Sequence, residues 1–577
     1  MHETANGPGL RWRLAVLTSL DGYRRSWLSR DLTAGLLIVA IAIPLSMGMA
    51  EVAGMPPIAG LYSCVLPLVA YAILGSSRQL VIALDASTAA MLAAAVMGMA
   101  DGDPVRYAAL AGATAVLVGL ILIAAGSMRL GLVADFLSEP VLLGYQAGLA
   151  AVVIVSQLPR FLGMTVETSD TIPRFRETFA NLADADPWSV VIGVAVLATM
   201  ILVRRWKPAV PGALIGVVGA TIVVAVFGLQ AHGVAVLGAL PSGLPPIAVP
   251  DVSLDDLLQL LPAAGAIALV AAADTLVSSR AFAARNSYEV DANRDLIGLG
   301  AANVSAGCSG GITTSASAAR TAVAESVGSR SQVAGLTAAT LMVLVLLFMT
   351  GPLRNVPIPA LAAVVIGAVL RLIEVSSLRT LWRVRRAEFL IAAAAFLGVA
   401  VVGVLEGVVV AMALSLLDFV GRTSRPHDAV LGSVPGRSGY HDVARGGGRT
   451  APEVLVYRFD APLFYANAAR FRSRVRGLAR RTKGLRLIVI DASAIGDIDV
   501  TAARMLGELQ LEFETKGIRL VVASAVGRVQ DLLVGDDLQE DFVAGDMYDT
   551  VEQAVTDGLA PAAVGVASPS GADGAGS

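Results

Sequence analysis

Residues 263–328 read AAGAIALVAAADTLVSSRAFAARNSYEVDANRDLIGLGAANVSAGCSGGITTSASAARTAVAESVG. The stretch opens as an apolar, alanine-rich run with a single acid, Asp274, and with Ser278 one helical turn further on. A second segment is broken by three glycines near residue 310, and a hydroxyl-rich run then ends at Arg320. An acid within a bilayer span is costly and by default marks a functional site. A glycine-broken helix at the same depth is tolerated where it lines a cavity, so the pattern predicts a site for a transported solute.

The composition is that of a membrane protein with a soluble appendage. The chain has 577 residues, of which 55% are hydrophobic and 15% charged, and its mean hydropathy is +0.71. A soluble chain carries nearer to about 25% charged residues. The sequence predicts a cytoplasmic N-terminal segment (1–30), a transmembrane domain (31–422) and a Gly/Arg/Ser-rich linker (423–451). An α/β domain (452–557) and a disordered tail (558–577) follow.

Several functional classes are disfavoured by the residue counts. A net charge of −3 argues against a globally basic nucleic-acid-binding protein. Cys64 and Cys308 lie in apolar segments without the spacing of a zinc site or a disulfide framework, and the four histidines are scattered. We see no nucleophile–base pair or set of metal ligands, so we expect neither an enzyme nor a resident cofactor.

Fourteen apolar segments lie between residues 31 and 421, and many have about the length of a bilayer span. The first begins near Asp31 and is expected to be interrupted at Pro44, and the third begins near Val81 with polar residues. The others cover 58–74, 107–125, 136–157, 188–203, 210–228, 257–279, 294–308, 313–327, 332–350, 357–374, 387–402 and 404–420. The third, ninth and tenth segments are weak by hydropathy alone.

Basic residues are distributed unevenly between the two sides of these segments. With the N-terminus inside, twenty-one arginines and lysines fall on the inner side. Five fall on the outer side, namely Arg106, Arg160, Arg174, Arg176 and Arg354. This bias favours an even number of spans with both termini in the cytoplasm. Forty arginines against three lysines is typical of a GC-rich bacterium, which indicates a bacterial inner membrane.

Interrupted segments occupy corresponding places in the two halves of the membrane part. Each half of seven segments contains a polar-starting segment in third position, which is the sequence sign of an inverted-repeat transporter. The predicted fold class is an α-helical polytopic membrane protein with fourteen segments in a seven-plus-seven inverted repeat, followed by a soluble α/β domain.

Four ordered motifs resemble those of the SulP family of anion transporters, over about residues 31–556. The first motif is Ile43, Pro44, Gly48, Met49, Ala50, Ala53, Gly54, Pro56, Pro57, Gly60, Leu61 and Tyr62. The second is Asn293, Leu296, Gly300, Asn303 and Gly307, and the third is Thr313, Thr314, Ser315, Ser317 and Arg320. The fourth is a C-terminal domain that resembles STAS domains.

The resemblance implies a core and a gate domain, with the substrate between the third and tenth segments as facing half-helices. Their N-termini would offer backbone N–H groups and the positive ends of the helix dipoles to an anion. The expected substrate-binding residues are Ser87, Thr88, Thr313, Thr314, Ser315, Ala316, Ser317 and Arg320. Many members carry a glutamine just after the first-span proline, but this chain has Leu45, which removes an amide donor.

Two acids are candidates for coupling to a cation. Sodium-coupled bicarbonate members of the family place an acid and a hydroxyl four residues apart in the eighth span, and Asp274 and Ser278 match that spacing, which puts both on one helix face. They are the expected Na⁺ ligands if the chain is sodium-coupled, whereas proton coupling needs only a carboxylate. The alternative for Asp274 is a structural acid that is either salt-bridged to Arg320 or hydrogen-bonded in the core. Asp85, at the start of the third segment, is either a helix N-cap or a coupling residue.

The C-terminal region alternates strands and helices, which predicts an α/β domain. Strands are expected at 454–459, 485–493 and 518–524, with helices at 468–479 and from about Val500. In related STAS domains a serine in the loop before a helix is phosphorylated, and Thr501 occupies the matching position. The alternative is that Asp499 or Thr501 caps the helix.

The sequence favours a secondary active transporter of a small inorganic or carboxylate anion, with sulfate or bicarbonate preferred, coupled to Na⁺ or H⁺. The resemblance implies a homodimer in a lipid bilayer, with the STAS domain aiding dimerisation. An uncoupled anion exchanger or channel, a dicarboxylate:H⁺ symporter and a nucleobase transporter remain as alternatives.

Overall fold

The computed structural model describes residues 23–131, 139–166, 168, 171–206, 210–446, 448–451, 453–534 and 546–559. Most of the predicted N-terminal segment and of the predicted tail lies outside these residues. The chain divides into two compact units at Ser415. The first unit consists almost wholly of apolar helices, and the second contains a β-sheet.

The first half of the membrane unit is built from nine helices and one short strand within the described residues. Strand β1 (Ile82–Ala83) precedes α4. The helices are α1 (Leu28–Val52), α2 (Pro57–Tyr62), α3 (Leu66–Leu74), α4 (Ala86–Val96), α5 (Pro104–Ser127), α6 (Glu139–Leu162), α7 (Thr171–Ala180), α8 (Pro187–Trp206) and α9 (Gly212–Phe227).

The second half repeats this pattern, with a short strand before its third long segment. Strand β2 (Ser315–Ala316) precedes α12. The helices are α10 (Leu254–Arg285), α11 (Ala292–Gly307), α12 (Ala318–Ser326), α13 (Val333–Phe348), α14 (Thr350–Leu353), α15 (Ile358–Val369), α16 (Val375–Val384), α17 (Arg386–Leu397) and α18 (Val404–Ser424). A π-helical turn, Gly398–Val402, follows α17.

Each of the fourteen predicted segments has a helical counterpart in the described ranges, but two details of the prediction are wrong. Helix α1 continues through Pro44, where we expected an interruption. A membrane-embedded helix tolerates proline where neighbouring helices support it, and Pro44 is buried. The second segment is instead split into α2 and α3, since Pro67 lies in the first turn of α3 and cannot donate a helical hydrogen bond.

Helices α5 and α11 cross at very short distance because glycines face each other along both. A Cβ on Gly300 would lie 2.6 Å from the carbonyl oxygen of Gly119, and a Cβ on Gly307 would lie 2.3 Å from that of Gly112. Both pairs are spaced by seven residues, so they recur on one face of each helix. This contact fixes α11, and with it the broken segment that follows, against the first half of the chain.

Replacing Gly300 by leucine is expected to prevent correct assembly of the membrane unit. The new side chain has no space against α5, and overpacking of a core costs about 1–3 kcal/mol or more. The measurement is the yield of monodisperse protein in detergent and its thermal unfolding. Gly219→Leu is the matched control, because nothing lies within 4 Å of a Cβ at that position of α9. Equal yields for the two variants would contradict the proposed close crossing.

The soluble unit is a six-stranded sheet with helices on both faces. The strand order is β4-β3-β5-β6-β7-β8; β3 pairs antiparallel with β4 and β5, and the other pairs are parallel. The strands are β3 (Asp428–Ser433), β4 (Tyr440–Asp442), β5 (Val454–Phe459), β6 (Leu487–Asp491), β7 (Arg519–Ala523) and β8 (Met547–Tyr548). The helices are α19 (Val443–Gly446), α20 (Tyr465–Arg481), α21 (Val500–Glu514), α22 (Gly527–Val534) and α23 (Val551–Gly558).

The predicted strands and helices of this unit are confirmed, but the stretch 423–451 is not a plain linker. It contributes β3, β4 and α19, and Ala429 and Leu431 of β3 are buried in the sheet. The many glycine, arginine and serine residues around these strands hide the short apolar alternation in the sequence. The sheet therefore starts earlier in the chain than predicted.

Candidate functional site

Strands β1 and β2 bring the two broken segments together in the membrane unit. They form an antiparallel pair in which Ile82 lies opposite Ala316 and Ala83 opposite Ser315. The pair is extended by the backbone N–H of Ser317, which donates to the carbonyl of Val81 at 2.9 Å. The N-termini of α4 and α12 follow these strands directly, so both helices begin beside the same pair of strands.

Side chains from the surrounding helices hold the second broken segment in place. The side-chain amide of Asn303 donates to the carbonyl of Thr314 at 2.9 Å, and its carbonyl accepts from the Thr314 N–H at 2.9 Å. The hydroxyl of Ser63 accepts from the N–H of Ile312 at 2.9 Å. The hydroxyl of Thr275 on α10 accepts from the N–H of Ala316 at 3.2 Å. The backbone between α11 and α12 is thus fixed by partners on α10, on α11 and just after α2.

A cavity of about 600 Å³ lies beside these helix N-termini. Its deep part is lined by Asp85, Ala86 and Ser87 of the first broken segment, by Ala316, Ser317, Ala318 and Ala319 of the second, and by Asp274 and Ser278 of α10. Leu45 of α1 and Tyr145 and Gln146 of α6 also line it. Four of the predicted site residues, Asp85, Ser87, Ala316 and Ser317, therefore line the same cavity as Asp274 and Ser278 of α10.

The two helix N-termini differ in how they are capped. Asp85 is the N-cap of α4, and its carboxylate accepts from the N–H of Ser87 at 3.3 Å, which confirms the capping alternative for this acid. The N-cap of α12, Ser317, makes no side-chain capping bond. The first turn of a helix leaves backbone N–H groups without helical partners. The α12 N-terminus thus presents free donors to the cavity, whereas Asp85 occupies the α4 N-terminus.

Asp85 and Asp274 share one hydroxyl group. The Ser87 hydroxyl lies 3.0 Å from Oδ2 of Asp85 and 3.4 Å from Oδ2 of Asp274. It has a single proton, so it cannot donate fully to both carboxylates. Two carboxylates this close repel each other when both are charged, and a bound proton or cation relieves that repulsion.

Arg320 does not line the cavity and does not pair with Asp274. Its side chain is 1% exposed, and its terminal nitrogen donates to the hydroxyl of Ser46 at 3.1 Å. Within the described residues it has no carboxylate within ion-pair distance, and its Nε is buried without a hydrogen-bond partner. The predicted salt bridge of Asp274 to Arg320 is therefore wrong, whereas the alternative of a hydrogen-bonded acid is compatible with the contact from Ser87. Arg320 contributes a buried positive charge behind the N-terminus of α12, without a direct ion pair.

Four of the predicted substrate-binding residues lie away from the cavity. Thr88, Thr313, Thr314 and Ser315 are fully buried, and none of them lines it. The hydroxyls of Thr88 and Thr313 each donate, at 3.4 Å, to the backbone carbonyl of the other residue. These residues connect the two broken segments, and of the predicted substrate-binding hydroxyl residues Ser87 and Ser317 line the cavity.

Several important residues were missed by sequence reasoning. Asp295 of α11 is fully buried and accepts hydrogen bonds from Tyr71, from Ser76 and Ser77, and from Ser279. It joins α3, α10 and α11 at one end of the unit. A polar residue at a helix start is common and gave no signal, because its partners are distant in sequence. Gln146, another missed residue, lines the cavity, and within the described chain its amide has no hydrogen-bond partner.

The mouth of the cavity is charged. Glu139, Arg204, Arg371 and Glu374 line it, together with the start of α9. Neither arginine has an ion-pair partner within the described residues. The positive charges of Arg204 and Arg371 are close enough to repel each other. With two arginines and two glutamates, the mouth is charged but carries no net charge.

In the soluble unit, Thr501 is the second residue of α21 and is exposed. The N-cap of this helix is Asp499, whose carboxylate accepts from the N–H of Ala502 at 2.8 Å. Capping by Asp499 is thus confirmed, and the Thr501 hydroxyl faces a cleft between α20 and α21.

A cavity between two facing broken helices, with an acid on the neighbouring helix α10, is typical of a membrane transporter. The model of the sulfate permease family matches residues 28–395, and the model of the STAS domain matches residues 449–554. The chain belongs to the sulfate permease family and carries a C-terminal STAS domain.

Named relatives are sulfate transporters. The chain is 43% identical over 532 residues to a probable sulfate transporter of Mycobacterium tuberculosis (strain CDC 1551 / Oshkosh), covering 92% of this chain and 93% of the relative. It is 30% identical over 577 residues to Sulfate transporter 3.1 of Arabidopsis thaliana, covering 95% of this chain and 87% of the relative.

Solved structures share the fold at lower identity. The murine Slc26a9 anion transporter in its inward-facing state matches with a TM-score of 0.88 at 20% identity, covering 96% of each chain. The transmembrane domain of a cyanobacterial bicarbonate transporter, BicA, matches with a TM-score of 0.60 at 22% identity, covering 68% of this chain and 98% of that domain. The predicted fold class, the membrane location and the transporter class are thereby confirmed.

Proposed function

We propose that the protein is a secondary active transporter that carries sulfate into the cell, coupled to a cation and working by alternating access. The observation that carries this proposal is the cavity in which the uncapped N-terminus of α12 faces the acid pair Asp85 and Asp274. The family and the names of the relatives support sulfate as the anion.

The anion is bound in this proposal by the first turn of α12, where backbone N–H groups and the helix dipole favour negative charge. Ser87 and Ser317 add hydroxyl donors from the two broken segments. Arg320, buried behind that turn without a carboxylate partner, lowers the cost of bringing a dianion into a low-dielectric site. Binding thus relies on backbone N–H groups and hydroxyl groups, and the nearby guanidinium of Arg320 adds a favourable positive charge.

The cation in this proposal binds at Asp274. The empty site contains two carboxylates, Asp85 and Asp274, and one guanidinium, that of Arg320. A bound cation removes the excess negative charge and so prepares the site for an anion. A hard metal cation prefers several oxygen ligands, whereas a proton needs one carboxylate oxygen. A proton is therefore favoured, and Na⁺ held by Asp274 and Ser278 is the alternative.

The side of the cavity mouth supports an inward-facing state. Arg204 and Arg371 lie at the mouth, and the positive-inside rule assigns both to the cytoplasmic side. On this assignment both termini and the STAS domain are cytoplasmic. The proposal further includes a bacterial inner membrane and a homodimer supported by the STAS domain. Anions leaving or approaching the cavity from the cytoplasm pass the two arginines.

The substrate is tested by uptake into proteoliposomes. Labelled sulfate, bicarbonate and a C4 dicarboxylate are offered separately to the reconstituted full-length protein, with protein-free liposomes as background. Sulfate uptake that the other two anions fail to inhibit at equal concentration is the expected result. Uptake of bicarbonate or dicarboxylate in preference to sulfate would overturn the substrate assignment, and chloride leak without saturation would indicate a channel.

Gln146 is expected to help bind sulfate, in place of the amide donor that is absent at Leu45. The Gln146 side chain lines the same cavity as Leu45 and is free to donate. Gln146→Leu should raise the KM for sulfate about tenfold, since a hydrogen bond to a charged group is worth about 1.5–3 kcal/mol. Initial rates of labelled uptake give the KM, and Gln157→Leu is unsuitable as a control because Gln157 is buried. Ser156→Ala, on the same helix outside the cavity, is the control; an unchanged KM in Gln146→Leu would contradict the role.

A further inference from the structure

A second concave surface lies in the STAS domain, between α20 and α21, and has a volume of about 590 Å³. We name it the arginine cleft, because Arg472, Arg476, Arg480 and Arg504 line it. Glu508 is the only acidic residue among those that line it, so four guanidinium groups face one carboxylate. The Thr501 hydroxyl also belongs to its lining.

The spacing of these residues explains why the charges meet. Arg472, Arg476 and Arg480 follow each other at intervals of four along α20, and Arg504 and Glu508 do so along α21. Residues four apart lie on the same face of a helix, so each helix presents one row of charges to the cleft. The rows are joined by two ion pairs, Arg472 with Glu508 and Arg476 with Glu512.

The remaining arginines are not neutralised. Arg480 and Arg504 have no ion-pair partner within the part of the chain that the structure describes. The Nε of Arg472 is buried and lacks a hydrogen-bond partner. Like charges on one face destabilise the helices that carry them unless an anion offsets the repulsion. The cleft therefore combines excess positive charge, open donors and a hydroxyl group.

We propose that the arginine cleft binds a doubly charged tetrahedral oxyanion, either free sulfate or a phosphate group. The planar guanidinium group makes two parallel hydrogen bonds to such an oxyanion, which favours it over a spherical anion. Arg480 and Arg504 supply the unpaired charge, and Thr501 supplies a further donor. The site belongs to the soluble unit and is independent of the transport cavity.

The test is equilibrium binding of labelled sulfate and of labelled inorganic phosphate to the full-length protein in detergent. The double variant Arg480→Gln/Arg504→Gln is compared with the control Arg470→Gln/Arg481→Gln. The control removes the same total charge, at two exposed arginines of α20 that do not line the cleft. The difference in bound anion between these double variants reports binding in the cleft alone, because any binding in the membrane cavity is the same in both.

We expect the cleft variant to bind at least one of the two oxyanions at least tenfold more weakly than the control variant, with chloride a poor competitor. The oxyanion with the larger loss identifies the source of the ligand group. Equal binding by the two double variants, or equally effective competition by chloride, would overturn the proposal. Thermal unfolding of both variants shows that a loss of binding does not come from unfolding of the domain.

Discussion

Asp274→Asn is expected to abolish the accumulation of sulfate against its gradient while leaving sulfate–sulfate exchange in place. Asparagine keeps the shape of the side chain but cannot take up a proton or supply a carboxylate ligand to Na⁺. A one-unit pH gradient supplies about 1.4 kcal/mol per proton, which is enough for about tenfold accumulation. The variant should reach only the external sulfate concentration, because the driving ion no longer binds.

The measurement compares net uptake with exchange in the same proteoliposomes. Asp255→Asn is the matched control, since Asp255 is an exposed acid at the start of the same helix and does not line the cavity. If Asp274→Asn still concentrates sulfate to the level of this control, Asp274 is not the coupling residue. If exchange is lost together with accumulation, the residue serves binding or folding and coupling must be sought elsewhere.

Arg320→Gln is expected to lower kcat/KM for sulfate by about 100-fold. The guanidinium is the buried positive charge nearest to the α12 N-terminus, and a buried charge interaction of about 3 kcal/mol corresponds to this factor. Its removal also leaves Asp85 and Asp274 without a compensating charge. Sulfate must then enter a site that is negative rather than nearly neutral.

Arg320→Lys and Arg354→Gln separate charge from structure. Lysine keeps the charge at position 320, so we expect it to retain much of the activity that glutamine loses. Arg354 is an exposed arginine outside the cavity, and its replacement by glutamine should have little effect. Activity in Arg320→Gln equal to that of wild type, in protein that unfolds at the wild-type temperature, would contradict the proposed electrostatic role.

The sequence predicted the fold well because membrane spans are long and strongly apolar. The positions of the broken third and tenth segments were also visible, since polar residues begin them and glycine precedes the second. The split of the second segment at Pro67 and the continuity of α1 through Pro44 were not visible, because proline has either effect depending on the helices packed around it.

The candidate site was predicted in part. Asp274, Ser278, Asp85, Ser87, Ala316 and Ser317 do meet at one cavity. The run from Thr313 to Ser317 contains four hydroxyl residues that look alike in sequence, and only the pairing of β2 with β1 decides which of them face the cavity. Gln146 and the buried acid Asp295 depend on contacts between distant segments, which one sequence cannot reveal.

The stretch 423–451, which was predicted to be a linker, contains a strand that the sequence did not reveal. Strand β3 has only six residues and lies among glycine, arginine and serine residues, so its pattern resembles that of a loop. Its burial comes from pairing with β5 and with β4 on either side. A short strand of this kind is specified by its neighbours in the sheet more than by its own residues.

Cation coupling is tested most directly by sulfate accumulation by the wild-type protein in proteoliposomes, with the membrane potential clamped and either a pH or a Na⁺ gradient imposed. We expect an inward proton gradient to drive internal sulfate above its equilibrium level, and an inward Na⁺ gradient at equal pH to have no such effect. Accumulation driven by Na⁺ alone would assign Asp274 and Ser278 to a sodium site instead. Sulfate that merely equilibrates under both gradients would contradict cation-coupled transport.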